Sequence, residues 1–368
     1  MADWNALLDH LANGPRENGT PELAAAAQWL AEELGRYGLT PERWEYVAHP
    51  WRLRIAGTVA LLGGIAYVLA MLRQRHRVAL AIAAAIPVLL IAELDQFVPL
   101  LGALHASPQQ HVIATIPPTA GPATQRLVFS AHYDTKTDLL DHVERTPIQT
   151  AGLPLTLLML FAAARPRPGL TKVAVVAGAL NGLGLFLSLT GGAFVSARSH
   201  GAIDDGAGCA VVLELARTLR LEHTEVKVVF FSAEEIGLEG SQAWVKTLDT
   251  TLPTQVINLD GVGFSTELTL FKAEGGMLKS YSPDAKLVAA VDAVSPLYRA
   301  WYPGTTDARS FLKAGIPAMN LASELPGHAL PRSLHSVADN RALVNFAALD
   351  EAVRVLTEVG RRLDRAAP

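Results

Sequence analysis

The chain has 368 residues, half of them hydrophobic and only 18% charged, with a formal net charge of −4 and one cysteine, Cys209. A lone cysteine excludes an intramolecular disulfide, and an acidic balance without a basic patch or phosphate-binding glycine loop argues against a nucleic-acid partner. The mean hydropathy of +0.24 lies on the apolar side of globular usage, and the excess is local.

Residues 1–20 lack the apolar core of a signal peptide, and the first fifty residues are net acidic. From Ile55 to Leu72 the chain is uncharged and almost wholly apolar; Arg73, Arg75 and Arg77 follow, then a second apolar run from Val78 to Ala92. A similar pair, Ala151 to Ala164 and Val173 to Val195, is separated by Arg165, Arg167 and Lys172. A helix over the first run spans about 27 Å, close to the roughly 30 Å hydrocarbon thickness of a bilayer. Neither pair shows the polar face of a surface helix, so four transmembrane helices in two hairpins are expected. Their cationic tips fall in the cytoplasm under the positive-inside rule. Both termini and the remaining domain are then extracytoplasmic, in a multi-pass protein of the cell membrane whose partners include the lipid bilayer.

Outside the hairpins, short β-branched and aromatic runs end repeatedly on acids or imidazoles. Leu127 to Ala131 leads into His132-Tyr133-Asp134, placing an imidazole and a carboxylate on the same side of an extended chain. Gly201 to Gly208 contains Asp204-Asp205 and opens a stretch of helical apolar spacing, Cys209 to Leu219; Asp205 suits helix capping or a metal, whereas Asp204 is assigned to a metal. Val226 to Phe231 reads as a buried strand leading to Glu234-Glu235, a pair that repels unless a cation or shared proton compensates. Gln255 to Leu259 ends on Asp260, and His335 lies in Ser333 to Asp339. Strand carboxyl ends are where open α/β sheets place their sites.

Oxygen and imidazole donors together suit zinc better than calcium or magnesium. Five candidate ligands exceed one tetrahedral zinc, so two ions bridged by one carboxylate, with a further carboxylate free to act as general base, is the economical reading.

In this order, His132-x-Asp134, Ala202-x-Asp204-Asp205, Glu234-Glu235-x-Gly237-Leu238-x-Gly240-Ser241, Asn258-Leu259-Asp260 and His335-x-x-x-Asp339 resemble metallopeptidase family twenty-eight, the aminopeptidase-like co-catalytic zinc exopeptidases. Gly14 to Pro21, with the helix through Trp29, Leu30 and Leu34, is similar to the opening segment of that family. The resemblance implies two zinc ions and peptide substrates. It implies that Asp204 bridges the ions, that His132 and Asp260 bind one and Glu235 and His335 the other. Glu234 would be the general base, and Asp134 would orient His132.

Thr306-Asp307-Ala308-Arg309-Ser310-Phe311 stands where the family reads Ser-Asp-His followed by Phe, so that His is absent and the substrate pocket differs. Asp307 and Tyr302 are the candidate substrate-binding residues, a buried structural hydrogen bond being the alternative for Asp307. His328 is a rival to His335 as the last ligand. His105, His111 and His142 lie outside the motifs and read as surface or packing residues. Two other readings remain open. One is a single-zinc glutaminyl cyclase, to which His132 to Lys136 and Leu213 to Arg217 are similar, although the compact Glu235 to Ser241 resembles the peptidases. The other is a non-catalytic binding module on a peptidase fold.

The expected architecture is α/β, a mostly parallel mixed sheet flanked by helices. It comprises a zinc exopeptidase domain of residues 1–50, 106–145 and 196–368, with transmembrane hairpin insertions at 51–105 and 146–195. Because the second insertion separates Asp134 from Asp204, the active-site mouth is expected near the bilayer.

Overall fold

The structure is a computed structural model describing residues 2–95, 98, 100–301, 304–323 and 331–366. Its elements, in chain order, are α1 (Trp4–Leu11), α2 (Pro21–Arg36), β1 (Glu42–Ala48), α3 (Arg52–Leu72), α4 (His76–Leu94), β2 (Ser107–Ile116), β3 (Gln125–His132), α5 (His142–Ala164), α6 (Pro168–Thr190) and α7 (Ala207–Thr218). There follow β4 (Thr224–Phe231), α8 (Glu239–Val245), β5 (Thr254–Leu259), β6 (Leu268–Phe271), α9 (Ala285–Asp292), β7 (Tyr298–Ala300), α10 (Ala308–Lys313), β8 (Ala318–Ser323) and α11 (Phe346–Arg365). Two compact units result, residues 1–48, 107–136 and 198–368 in one, and 49–106 and 137–197 in the other. The second insertion, expected from sequence to open at 146, opens by contacts at 137.

The first unit holds one sheet in the order β1-β2-β4-β3-β5-β8-β6-β7. Its centre, β4-β3-β5-β8, is parallel; β1 and β2 add antiparallel at one edge, and β6 lies antiparallel to β8. This is the mixed, helix-flanked α/β sheet that the sequence predicts. Alternation sends Leu127, Phe129 and Ala131 into the core shared with α1, α2, α7 and α11, and Val128 into a core with Trp244 of α8 and Phe311 of α10. Both faces are covered, which is why the central strands read as unbroken apolar runs. The chain leaves β3 toward β4 on one flank while β5 lies on the other. The carboxyl ends of β3 and β5 therefore flank a topological switch point, where such sheets place ligands. At the edge, Ala48 at the end of β1 pairs directly with Ser107 at the start of β2.

The second unit comprises α3 to α6, of 21, 19, 23 and 23 residues. All four are long and apolar enough to cross a membrane by length and composition. α5 begins well before the apolar run at Ala151, because Asp141 and Glu144 form a capping box: Glu144 N donates to Asp141 Oδ1 at 2.8 Å and Asp141 N to Glu144 Oε2 at 3.2 Å. α3 and α6 meet through small residues. A Cβ on Gly64 would lie 2.8 Å from the Gly178 carbonyl oxygen, and one on Gly182 3.1 Å from that of Ala60. Such close backbone approach is the usual substitute for hydrophobic drive between helices in lipid. Beside this seam, Tyr67 Oη donates to Met159 O at 2.9 Å. A buried pair, Arg52 Nε to Glu93 Oε1 at 3.1 Å, ties α3 to α4, and Glu93 also accepts from Leu101 N at 2.7 Å and Gly102 N at 3.0 Å.

Candidate metal centre

His132 is the last residue of β3. Its Nε2 lies 3.0 Å from Asp204 Oδ1 and 4.0 Å from Asp260 Oδ1, just beyond the end of β5. The other oxygen of Asp204, Oδ2, is 3.0 Å from His335 Nε2, which is itself 3.1 Å from Glu235 Oε2. Two three-residue donor groups share one carboxylate: His132, Asp204 and Asp260, and Asp204, Glu235 and His335, each with its donor atoms within 4.8 Å of one another. Glu234 belongs to neither group.

Local structure explains these positions. Asp204 sits in the turn 202–206 ahead of α7, joined to Asp205 by a cis peptide. The carboxylate of Asp339 accepts from Ile203 N at 2.8 Å and from Asp204 N at 3.2 Å, holding that turn. Of the two roles open to Asp205, its oxygens take the backbone one, accepting from Gly208 N and His132 N, both at 3.2 Å. Gly201 must be glycine: φ is +56° and a Cβ would meet Thr135 Cγ2 at 2.3 Å. The turn after β4 also bends through left-handed backbone, at Ala233 (φ 61°) before the two glutamates and Leu238 (φ 59°) after them.

Asp134 organises this turn. Its buried carboxylate accepts from Asn18 Nδ2 at 2.7 Å, Glu234 N at 3.3 Å and Glu235 N at 3.1 Å. Its backbone carbonyl, at 3.1 Å, is nearer the His132 Nδ1 than is its carboxylate, at 3.6 Å. Toward the imidazole, then, the main chain of Asp134 is the closer partner, while its side chain is spent on the glutamates.

Burial alone lowers the His132 pKa, but Asp134, Asp204 and the charges of Glu234 and Asp260 outweigh it and hold the ring well above its ordinary value. Burial raises Asp204, yet the two imidazoles pull it well below the usual carboxylate range. Glu234 and Asp260 are pushed well above that range, by burial first and then by neighbouring carboxylates, with His132 opposing. The cluster thus carries more buried carboxylate than its imidazoles balance, as a cation site does. Among the described residues, Glu235 Oε1 is buried without a hydrogen-bond partner, and His132 Nε2 faces only the carboxylates of Asp204 and Asp260. Those donor atoms, and the mix of imidazole and carboxylate, fit a borderline divalent metal.

Asp307, at the start of α10, is buried outside both donor groups, with neither oxygen in a hydrogen bond of ordinary length. Burial raises its pKa to about 7, against the lowering influence of His132 and the Ser241 hydroxyl. Tyr302 and His328 lie outside the described residues.

Two supporting residues carry no motif signal for this role. Buried Arg16 donates through Nε to Tyr133 O at 2.8 Å, through Nη1 to His200 O at 2.9 Å and through Nη2 to Gly201 O at 3.1 Å, tying the His132 and Asp204 loops together. Asn320 accepts from Asn258 Nδ2 at 2.9 Å and donates to Asp260 O at 3.2 Å, fixing the end of β5. Their partners are mostly backbone carbonyls from other strands and loops, which no local pattern announces.

The sequence profile of peptidase family M28 matches residues 111–360. The chain belongs to peptidase family M28. Among curated relatives of this M28 chain, aminopeptidase YwaD of Bacillus subtilis is 42% identical over 74 residues, 19% of this chain and 16% of that protein. A vacuolar membrane protease of Verticillium alfalfae is 31% identical over 81 residues, 21% of this chain and 8% of that protein. The aligned stretches are therefore small parts of both relatives. Among solved structures, the zinc aminopeptidase BSAP from Bacillus subtilis superposes with a TM-score of 0.56 at 14% identity, covering 96% of this chain and 92% of that one. A glutaminyl cyclase from Porphyromonas gingivalis gives 0.53 at 17% identity, covering 97% and 94%. These two likenesses establish the M28 fold and nothing finer.

Proposed function

We propose that this M28 chain is a membrane-anchored zinc aminopeptidase that removes amino-terminal residues from peptides outside the cytoplasm. One observation carries the reading: a single carboxylate, Asp204, is shared by two donor groups, and Glu234, close enough to His132, Asp260 and Glu235 to interact with their charges, belongs to neither. His132 and Asp260 would hold one zinc ion, Glu235 and His335 the other, and Asp204 both. Bound zinc supplies a Lewis acid for the scissile carbonyl and acidifies water at the site.

The remaining chemistry belongs to the chain. The carboxylate of Glu234 takes a proton from the attacking water and delivers it to the nitrogen of the departing amine. Asp134 holds the backbone at Glu234 and Glu235 by accepting from the amide of each. Asp339 does the same for Asp204. The four long apolar helices support a lipid-embedded second unit, and their cationic tips support the topology with the catalytic unit outside.

Zinc analysis paired with an aminopeptidase assay on the wild type and Glu234→Gln tests the proposal. Both proteins are expected to hold two zinc ions per chain, with kcat of the variant lower by about 10²- to 10⁴-fold. A fully active variant overturns the role of Glu234. One tightly held zinc with pyroglutamate formation as the sole activity identifies a glutaminyl cyclase instead.

A further inference from the structure

The turn that carries Glu234 and Glu235 has a base as well as a crown. Asp134 bonds the crown; the base, where the chain leaves β4 at Ser232 and enters α8 at Gly240, closes on His111. This imidazole lies on β2, fully buried, stacked on Trp44 with ring centroids 5.3 Å apart and 4° between planes. Tyr46 packs against it at 4.5 Å and Phe231 meets it edge-on at 5.0 Å.

Both ring nitrogens are used. Ser232 N donates to His111 Nδ1 at 3.3 Å, and His111 Nε2 lies 3.1 Å from Gly240 O. Only the neutral tautomer with its proton on Nε2 serves both contacts, because Nδ1 must accept while Nε2 donates. Burial keeps the ring in that form, lowering its pKa to about 3 against the opposing Gly240 bond and Asp134. Tyr46 Oη reinforces the same point, 3.0 Å from Ser232 O. The closure is tight enough that a Cβ on residue 240 would fall 1.9 Å from Ser232 O and 2.6 Å from His111 Cε1. Packing alone does not account for an imidazole here. A phenyl ring would fill the same aromatic cage without the cost of burying two polar nitrogens.

We propose that His111 is a positioning residue for the reaction assigned above, a two-point clamp that joins Ser232 to Gly240 and so fixes where Glu235 meets Asp204 and His335 and where Glu234 stands beside them. The activity part of this inference rests on the aminopeptidase reading; the metal-binding and rigidity parts do not.

The test uses the full chain in detergent, with His111→Phe keeping the ring and removing both hydrogen bonds, and His111→Gln keeping a donor and an acceptor while losing the ring. Zinc affinity is read by competition with a chromophoric chelator, rigidity by amide exchange across residues 233–238, and kcat and KM on an aminoacyl chromogenic substrate at saturating zinc. His111→Phe is expected to lose about 10- to 100-fold in zinc affinity and a similar factor in kcat, as partners that orient metal ligands do. KM stays unchanged and exchange across the turn quickens, while His111→Gln recovers most of each loss. Wild-type zinc affinity and exchange in His111→Phe would overturn the clamp, as would a glutamine variant no better than the phenylalanine one. If the phenylalanine variant does not fold, the glutamine variant decides alone: near-wild-type zinc affinity supports the clamp and its loss overturns it. A wild type that binds zinc but cleaves no peptide defeats the aminopeptidase reading, and the zinc and exchange measurements still judge His111.

Discussion

Asp134→Asn isolates the work of one carboxylate. In the wild type, Oδ1 accepts from Glu234 N at 3.3 Å, and Oδ2 accepts from Glu235 N at 3.1 Å and Asn18 Nδ2 at 2.7 Å. An amide has one acceptor oxygen. If that oxygen takes the Oδ2 position, the new NH₂ group faces Glu234 N, donor against donor, in a fully buried site. Losing a hydrogen bond to a charged acceptor costs about 1.5–3 kcal/mol, and the two surviving bonds weaken as the charge is removed. A total of about 3 kcal/mol corresponds to roughly a hundredfold if it is expressed at the site. Because the carbonyl of Asp134 still approaches the His132 ring, the damage falls on the glutamate turn. The expected outcome is about a hundredfold loss in kcat/KM, weaker binding of one zinc ion and faster amide exchange at Glu234 and Glu235. Wild-type kcat/KM and exchange in this variant would refute the reasoning.

Other expectations follow from separate parts of the chain. Glu274 is fully buried, accepts from Thr306 N at 2.9 Å, and is raised by burial from 4.5 to about 7, with Thr306 and Arg309 opposing and Asp307 adding. Between those values the unfolded chain has released a proton that the folded chain keeps, so stability falls as pH rises through the interval and levels off above it. Glu274→Gln removes that dependence and should gain on the wild type by up to about 3 kcal/mol between about pH 5 and pH 8, read as a widening Tm difference; a gap that ignores pH counts against this. Gly64→Leu, whose Cβ would meet the Gly178 carbonyl at 2.8 Å, should separate α3 from α6 and lower folded yield in detergent, whereas Gly169→Ala, with nothing within 4 Å, should be neutral. For topology, single cysteines at Gln74 and Gly169 should escape an impermeant maleimide in intact cells while one at Arg361 reacts. Cys209 is buried and adds no background. The opposite labelling pattern would reverse the orientation.

Most of the site was legible because each central strand is buried on both faces and its apolar run stops where the chain meets the site. His132, Glu234 and Asp260 all stand at such stops, so the ends of β3, β4 and β5 announced themselves. The sheet order was less accessible, since the pairing of β1 with β2 and of β6 with β8 depends on partners far along the chain. Hydropathy speaks only for the second half of α5; the Asp141-x-x-Glu144 box that starts it carries its signal in polar residues. Arg16 reaches a carbonyl 184 residues away, and His111 one 129 residues away. Contacts of that kind leave no local periodicity.

The direct pairing of Ala48 with Ser107 bears on how such a protein is assembled. β1 and β2 are the two arms of a β-hairpin whose connecting loop has become residues 49–106. Closing a longer loop costs little, about 0.6 kcal/mol for each doubling of its length. From the side of the sheet, a two-residue turn and a pair of bilayer-length helices satisfy the same end condition. The β1–β2 pairing is thus kept across residues 49–106, and the two apolar helices of that insertion can change in sequence or length without altering either strand.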